Sequence, residues 1–195
     1  MKIAVDIDGV LRNFTAAVHD CFVRLGKWPV DKPAPEITEY GMAKFYGMKE
    51  GEFNRIVFGL SHRSYRIFSY APIYPEADIF FDRLTGKHTV GLITCQNQMT
   101  MKATLMWLYN NDIVPMNLHW IRFGKPKTGF GYEILLDDKP ENCESFMLDG
   151  GRAFLFDRPW NQGYRGPAQR VFDYGHFLKV IDDIDAGRSP EVDLW

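Results

Sequence analysis

Two aspartates one residue apart close the first apolar run of this chain, Ile3-Ala4-Val5-Asp6-Ile7-Asp8, and Gly9 follows them. Three later stretches carry groups that could work with this pair. Thr94 ends Leu92-Ile93-Thr94, Lys125 and Lys127 follow the next apolar run, and Ile134-Leu135-Leu136 leads into Asp137-Asp138. Brought to one point, these residues supply three or four carboxylates, one hydroxyl and one ammonium. Clustered carboxylates repel one another and need a cation. An all-oxygen donor set favours Mg²⁺, which takes one or two carboxylates plus water and phosphate oxygens. Mg²⁺ and a lysine would together stabilise the charge on a phosphoryl group in transfer. One carboxylate could attack phosphorus and form an aspartyl-phosphate. A second could protonate the leaving oxygen and later activate water.

Convergence requires the right elements. A short apolar run closed by a turn signal reads as a buried parallel strand. Such runs lie at 2–6, 89–94, 118–123, 133–136 and 153–156. Helical periodicity separates them, at 76–84, 98–110 and 141–148, with a last helix at 176–185 after a polar, Gly-rich loop. Strands alternating with helices imply right-handed crossovers and a parallel sheet. In open sheets of this kind ligands sit beyond the carboxyl ends of the strands, where all the polar residues above fall. Between residues 13 and 74 no stretch reads as a buried strand. A helix over 13–25, a Pro-rich stretch and three short helical patterns over 42–68 suggest a helical insertion. The expected architecture is α/β, a doubly wound, Rossmann-like parallel sheet. Residues 1–12 and 75–195 would form its core, and 13–74 a small cap inserted after the first strand.

Order and placement together resemble the haloacid dehalogenase-like phosphohydrolases. Asp6-Ile7-Asp8-Gly9-Val10 looks like their first motif, Thr94 their second, Lys127 their third and Asp137-Asp138 their fourth. A nearer resemblance is to the 5'(3')-deoxyribonucleotidases, carried by Asp6 to Phe14 (DIDGVLRNF), by Ala71-Pro72-Ile73-Tyr74-Pro75, and by Lys127-Thr128 with Asp137-Asp138-Lys139. Cys95-Gln96 departs from the serine-proline of that family, Lys125 stands where an arginine is expected, and no tryptophan platform is evident near Tyr40. The resemblance implies a Mg²⁺-dependent phosphomonoesterase acting on nucleoside monophosphates. It makes Asp6 the nucleophile and a Mg²⁺ ligand. Asp8 becomes the general acid and base, its backbone carbonyl a further ligand. Asp137 is the third protein ligand, and Asp138 a neighbouring or alternate one. Thr94 would bind the transferring phosphoryl oxygen and Lys127 would neutralise the aspartyl-phosphate. Phe14, Tyr40, Cys95 and Lys125 fall where the substrate would be held. A phosphatase of another small ester or of a polynucleotide 3'-end is the alternative, or a non-catalytic phosphate-binding module.

Plainer readings stand beside each of these. An Asp pair after a strand is often turn chemistry, and Asp138 could be no more than a helix N-cap. Lys125 competes with Lys127, and either could be solvated. Arg55, His62, Arg63 and Arg66 give the cap a basic face that either holds an anion or meets solvent. The loop Arg158-Pro159-Trp160-Asn161-Gln162 either lines the site mouth or covers a sheet edge. A net charge of −2 over 195 residues argues against general nucleic-acid binding and against an electrostatic hold on membranes. Three scattered cysteines make neither a disulfide framework nor a zinc site. With no leader read at the N-terminus and no apolar run of spanning length, the expectation is a cytoplasmic protein. Its partner would be a small phosphate ester, and a homodimer is left open.

Overall fold

A computed structural model of the protein describes residues 1–59, 61–97 and 100–189. Six parallel strands form one sheet: β1 (Lys2–Val5), β2 (Thr89–Cys95), β3 (Asn117–Ile121), β4 (Ile134–Asp137), β5 (Arg152–Phe156) and β6 (Gln169–Val171). Their spatial order is β3-β2-β1-β4-β5-β6. The chain runs outward from β1 in one direction, then returns to β1's other side and runs outward again. The crevice of a doubly wound sheet opens at such a reversal, here between β1 and β4. The register pairs Val5 with Leu136, and the ladder goes one step further, the Asp6 amide donating to the Leu136 carbonyl at 2.9 Å. Asp6 and Asp137 therefore emerge side by side.

Alternation along the strands sorts the core. Ile3, Val5, Leu92 and Leu136 face a cluster with Phe80, Leu84, Trp107 and Phe177. These come from α4 (Ala77–Thr85), α5 (Met101–Asn110) and α7 (Tyr174–Asp185). Ala4, Ile93, Leu135 and Leu155 face Cys143 and Phe146 of α6 (Pro140–Leu148) on the other side. Both faces are covered, which is why these strands read as continuous apolar runs.

The segment after the first strand holds α1 (Phe14–Arg24), a 3₁₀ turn (Met42–Tyr46), α2 (Glu50–Val57) and α3 (His62–Ser69). Asn13 caps α1, its side chain accepting from the Ala16 amide. With no sheet beneath them, these helices pack on aromatic rings: Phe22 meets Tyr46 and Phe53 edge-on, centroids 4.6 and 5.6 Å apart. Chain exit and return lie against each other, the Asn13 amide donating to the Pro72 carbonyl and the Tyr74 amide to the Leu11 carbonyl. The apolar cluster runs unbroken from the sheet into these helices.

Differences from expectation are local. The strand β6 lies in what reads as a Gly-rich loop. Its three residues include Gln169 and Arg170, too few and too polar to show a period. Helix α7 starts two residues early because Asp173 caps it, accepting from the His176 amide. The expected start of α5 at Gln98 lies outside the described residues. Among the described residues no helix is long and apolar enough to cross a membrane.

Candidate active site

Carboxylate oxygens of Asp6, Asp137 and Asp138 lie within 4.8 Å of one another, and all three residues are buried. Each is held by an identifiable partner. Lys127 leaves the β3–β4 connection and buries its side chain fully, placing Nζ 2.7 Å from Asp6 Oδ1 and 2.6 Å from Asp137 Oδ2. Asp137 also accepts from the Lys139 amide at 2.9 Å and from Asn142 Nδ2 at 3.1 and 3.0 Å, both at the start of α6. Asp138 Oδ2 accepts from Trp160 Nε1 at 2.7 Å. Gly9 completes the wall. Its φ is +85°, and a Cβ there would sit 2.2 Å from Asp138 Oδ2, so a side chain is excluded by backbone and by space alike.

Three buried carboxylates against one ammonium do not balance. Burial pushes the Asp6 carboxyl well above its ordinary range; Lys127 pulls it back, while Asp137 and Asp138 push it further up. Asp138 is pushed up to about 7, first by burial and then by Asp137. For Lys127, burial opposes the charge, but Asp137 and Asp6 together outweigh it and its pKa is raised. Without a cation the site relieves its excess charge by taking up protons. A divalent cation would do the same work, and hard, all-carboxylate oxygen donors are those Mg²⁺ accepts. The donor set therefore fits Mg²⁺ in both charge and chemistry.

That electrostatic state sets a pH dependence. A carboxyl whose folded pKa is raised contributes stability that is complete below its ordinary value and lost as pH climbs through the folded value. For Asp138 the window runs from 3.8 to about 7. In EDTA, the wild type should lose thermal stability across this window faster than Asp138→Asn does. Added Mg²⁺ should then stabilise the wild type more at about pH 8 than at about pH 5. Parallel melting curves for the two proteins, with no pH-dependent gain from Mg²⁺, would deny the carboxylate cluster a metal.

The sheet order, the strand-end site and the inserted helices admit comparison with known structures. A haloacid dehalogenase-like hydrolase from Streptococcus pneumoniae superposes with TM-score 0.64 over 92% of this chain and 97% of that one, at 12% identity. A HAD-superfamily hydrolase of subfamily IA from Geobacter sulfurreducens gives 0.61, covering 92% and 95% at 15% identity. A HAD-type protein of Bacillus subtilis bound to magnesium gives 0.59, covering 93% and 98% at 10% identity. The chain has the haloacid dehalogenase-like hydrolase fold. No protein-family model matches the sequence, and no curated protein matches it either. Other structures with this fold are described as an L-2-haloacid dehalogenase and a phosphonoacetaldehyde hydrolase-like protein.

Within this haloacid dehalogenase-like fold the remaining expected residues fall in distinct places. Thr94 is buried near the end of β2, and Cys95 closes that strand half-buried, its thiol pushed up to about 11 by burial. Lys125 is exposed, two residues before the buried Lys127. The Asp8 carboxylate stands apart from the other three, paired with Arg12 and Gln96. Phe14 spends its ring on Phe58 and Phe68, at 6.0 and 5.3 Å. Tyr40, just before the 3₁₀ turn, donates to the Asp138 carbonyl at 2.5 Å, and its ring meets Trp160 edge-on. Lys139 Nζ lies 5.7 Å from the Tyr40 ring and 5.3 Å from that of Phe123. The N-cap of α6 is Lys139, so Asp138 does not cap it; its side chain serves the cluster instead.

The loop after β5 lines the site and also braces it. Arg158 Nε donates to the Gly9 carbonyl at 2.6 Å, and Asn161 Nδ2 donates to the Asp138 and Phe156 carbonyls, both at 2.8 Å. Arg170 of β6 holds Asn161 in turn, Nη1 to Oδ1 at 2.6 Å. Sequence reasoning names this loop without assigning it. It quotes Arg12 and Gln96 inside longer stretches without giving either a role, and passes over Asn142 and Arg170 altogether, because single polar residues with no spacing relation to the motifs carry no local signal.

Proposed function

We propose that this protein is a Mg²⁺-dependent phosphomonoesterase that cleaves nucleoside monophosphates through an aspartyl-phosphate on Asp6. The observation that carries the proposal is the packing of Asp6 against Lys127, beside Asp137 and Asp138, where the sheet reverses. A buried carboxylate next to an ammonium suits nucleophilic attack on a centre that gathers negative charge. Phosphate chemistry is favoured over carbon–halogen chemistry by the other two carboxylates. A halide leaves as a monoanion and needs no cation to bind its substrate, whereas a phosphate dianion would be repelled by this cluster without one.

Bound Mg²⁺ would offset the carboxylates' charge, keep Asp6 ionised and draw charge from the phosphoryl oxygens. The steps fall to the chain's own residues. An Asp6 oxygen attacks phosphorus, the ester P–O bond breaks, and the leaving oxygen takes a proton from Asp8. Asp8 then removes a proton from water, whose oxygen attacks phosphorus. The bond to Asp6 breaks and inorganic phosphate leaves. Lys127 offsets charge throughout, and Thr94 binds a phosphoryl oxygen. The exposed ring of Phe123 beside Tyr40 and Lys139, at the Asp138 side of the site, suits a flat, compact leaving group. A small-molecule ester is accordingly the proposed partner, in preference to a polymer.

The test is a panel of deoxy- and ribonucleoside monophosphates, sugar phosphates, glycerol phosphate and a 2-haloacid, each with Mg²⁺ or with EDTA. Inorganic phosphate should appear from nucleotides in Mg²⁺ and fall at least about 100-fold in EDTA. Halide release without phosphate release would overturn the phosphatase reading. A sugar phosphate turned over faster than every nucleotide would replace the substrate.

A further inference from the structure

Arg12 is completely buried, and although it falls inside the Asp6–Phe14 stretch no role attaches to it there. It stands where the catalytic turn hands the chain to the cap. Its backbone forms isolated bridges with Asp8 on one side and with Ile73, where the chain returns from the helical segment, on the other. Its guanidinium lies between the rings of Phe68 and Trp107, 5.1 Å from each centroid. Nε donates to Asp8 Oδ1 at 2.7 Å and Nη2 to Asp8 Oδ2 at 3.0 Å, a two-pronged grip that only arginine's planar fork can make. Nη1 donates to Thr104 Oγ1 at 3.0 Å and to the Phe68 carbonyl at 2.9 Å. That carbonyl lies in the last turn of α3, where the helix leaves its acceptors unpaired.

The contacts close into a ring. Thr104 Oγ1 donates to Gln96 Oε1 at 2.8 Å, and Gln96 Nε2 donates to Asp8 Oδ2 at 2.6 Å. A carboxylate only accepts, so Gln96 turns its Nε2 to Asp8 and its Oε1 to Thr104, whose hydroxyl proton therefore goes to Gln96. Among the described residues Oδ2 accepts two hydrogen bonds and Oδ1 one. The Asp8 side chain remains 25% exposed, and Oδ1, with one acceptor site used, is the oxygen with more capacity left for a reacting group. A buried arginine is a costly way to fill space, since apolar residues of the same volume serve stability as well or better. Its fork on Asp8 gives it another purpose.

We propose that Arg12 is a positioning residue. It aims Asp8 Oδ1 at the leaving oxygen and, through the Phe68 carbonyl, makes that aim depend on α3 of the cap being docked. The inference rests on Asp8 being the acid of the proposed phosphatase. The ring then explains how one side chain can couple cap position to the presentation of that acid: withdrawal of α3 removes an acceptor from the same guanidinium that grips Asp8.

The test compares kcat/KM for an alkyl ester, glycerol phosphate, with that for an aryl ester, p-nitrophenyl phosphate. The alkoxide needs a proton to leave, and the nitrophenolate does not. Arg12→Lys keeps the charge and loses the fork. It should cost about 100-fold on the alkyl ester and under about tenfold on the aryl ester. Asp8→Asn should show the same asymmetry, and the double variant should be no worse than Asp8→Asn alone, because both act through one group. Should Arg12→Lys not fold, Thr104→Val removes the hydroxyl that joins Arg12 to Gln96 without touching Asp8. It should lose about fivefold on the alkyl ester and nothing on the aryl one. Equal losses on the two esters in a folded variant, or losses that multiply with Asp8→Asn, would overturn the positioning role. A wild type that cleaves neither these esters nor any nucleotide would overturn the phosphatase reading itself, and this inference with it.

Discussion

Asp6→Asn is expected to abolish phosphate release while leaving the fold as stable as before or more so. The amide cannot attack phosphorus, so turnover should fall by about 10⁴-fold or more, about 5.5 kcal/mol of barrier. Stability should move the other way. Burial and the neighbouring Asp137 and Asp138 already push the Asp6 carboxyl well up, so in EDTA a neutral amide relieves repulsion that the acid carries. Lys127 keeps its second partner, Asp137, at 2.6 Å. A catalytic group whose removal stabilises the protein is the usual mark of a site built for chemistry at some cost to stability. Phosphate release and thermal melting on the same sample check both halves. Turnover within tenfold of wild type would remove Asp6 from the nucleophile's role.

Lys127→Met should eliminate activity as well, but with the opposite effect on stability. Methionine fills the channel that the lysine stem occupies and takes away the one ammonium between Asp6 and Asp137. Two carboxylates are then left buried without their counter-charge. Breaking one side of a buried ion pair costs about 3–5 kcal/mol. The loss should be greatest near pH 8 and smaller near pH 5, where Asp6 and Asp138, both with raised pKa values, would bind protons instead. Melting curves at the two pH values check this, and a destabilisation independent of pH would show that packing, not charge, ties Lys127 to the site. Paired with Asp6→Asn, the experiment separates two ways of losing activity: one variant melts as high as wild type, the other lower.

Much of this was legible from residue order. The strands β1, β2 and β5 and the helices α1, α4 and α6 fall within a residue or two of where their apolar periods place them, since burial on one face or two is a local pattern. Three kinds of feature were not. The strand β6 is too short to have a period. Asp8 is separated by one residue from Asp6, yet its carboxylate turns to Arg12 while that of Asp6 turns to Lys127. Trp160 and Asn161 hold Asp138 from a loop that carries no motif.

Strand-end position is a property of the chain alone: an apolar run stops, a carboxylate follows, and a parallel sheet sends every such end to the same edge. The amino-acid order therefore determined that Asp6, Thr94, Lys127 and Asp137 share a rim. Which of them touch depended on the strand order, and only the folded sheet sets β4 beside β1 and so brings Asp137 next to Asp6. The same holds for the ring around Arg12. Its hydrogen-bonded partners are 4 to 92 positions apart, and no spacing rule relates them until the chain returns along Pro72 and Ile73 and closes the guanidinium between two helices.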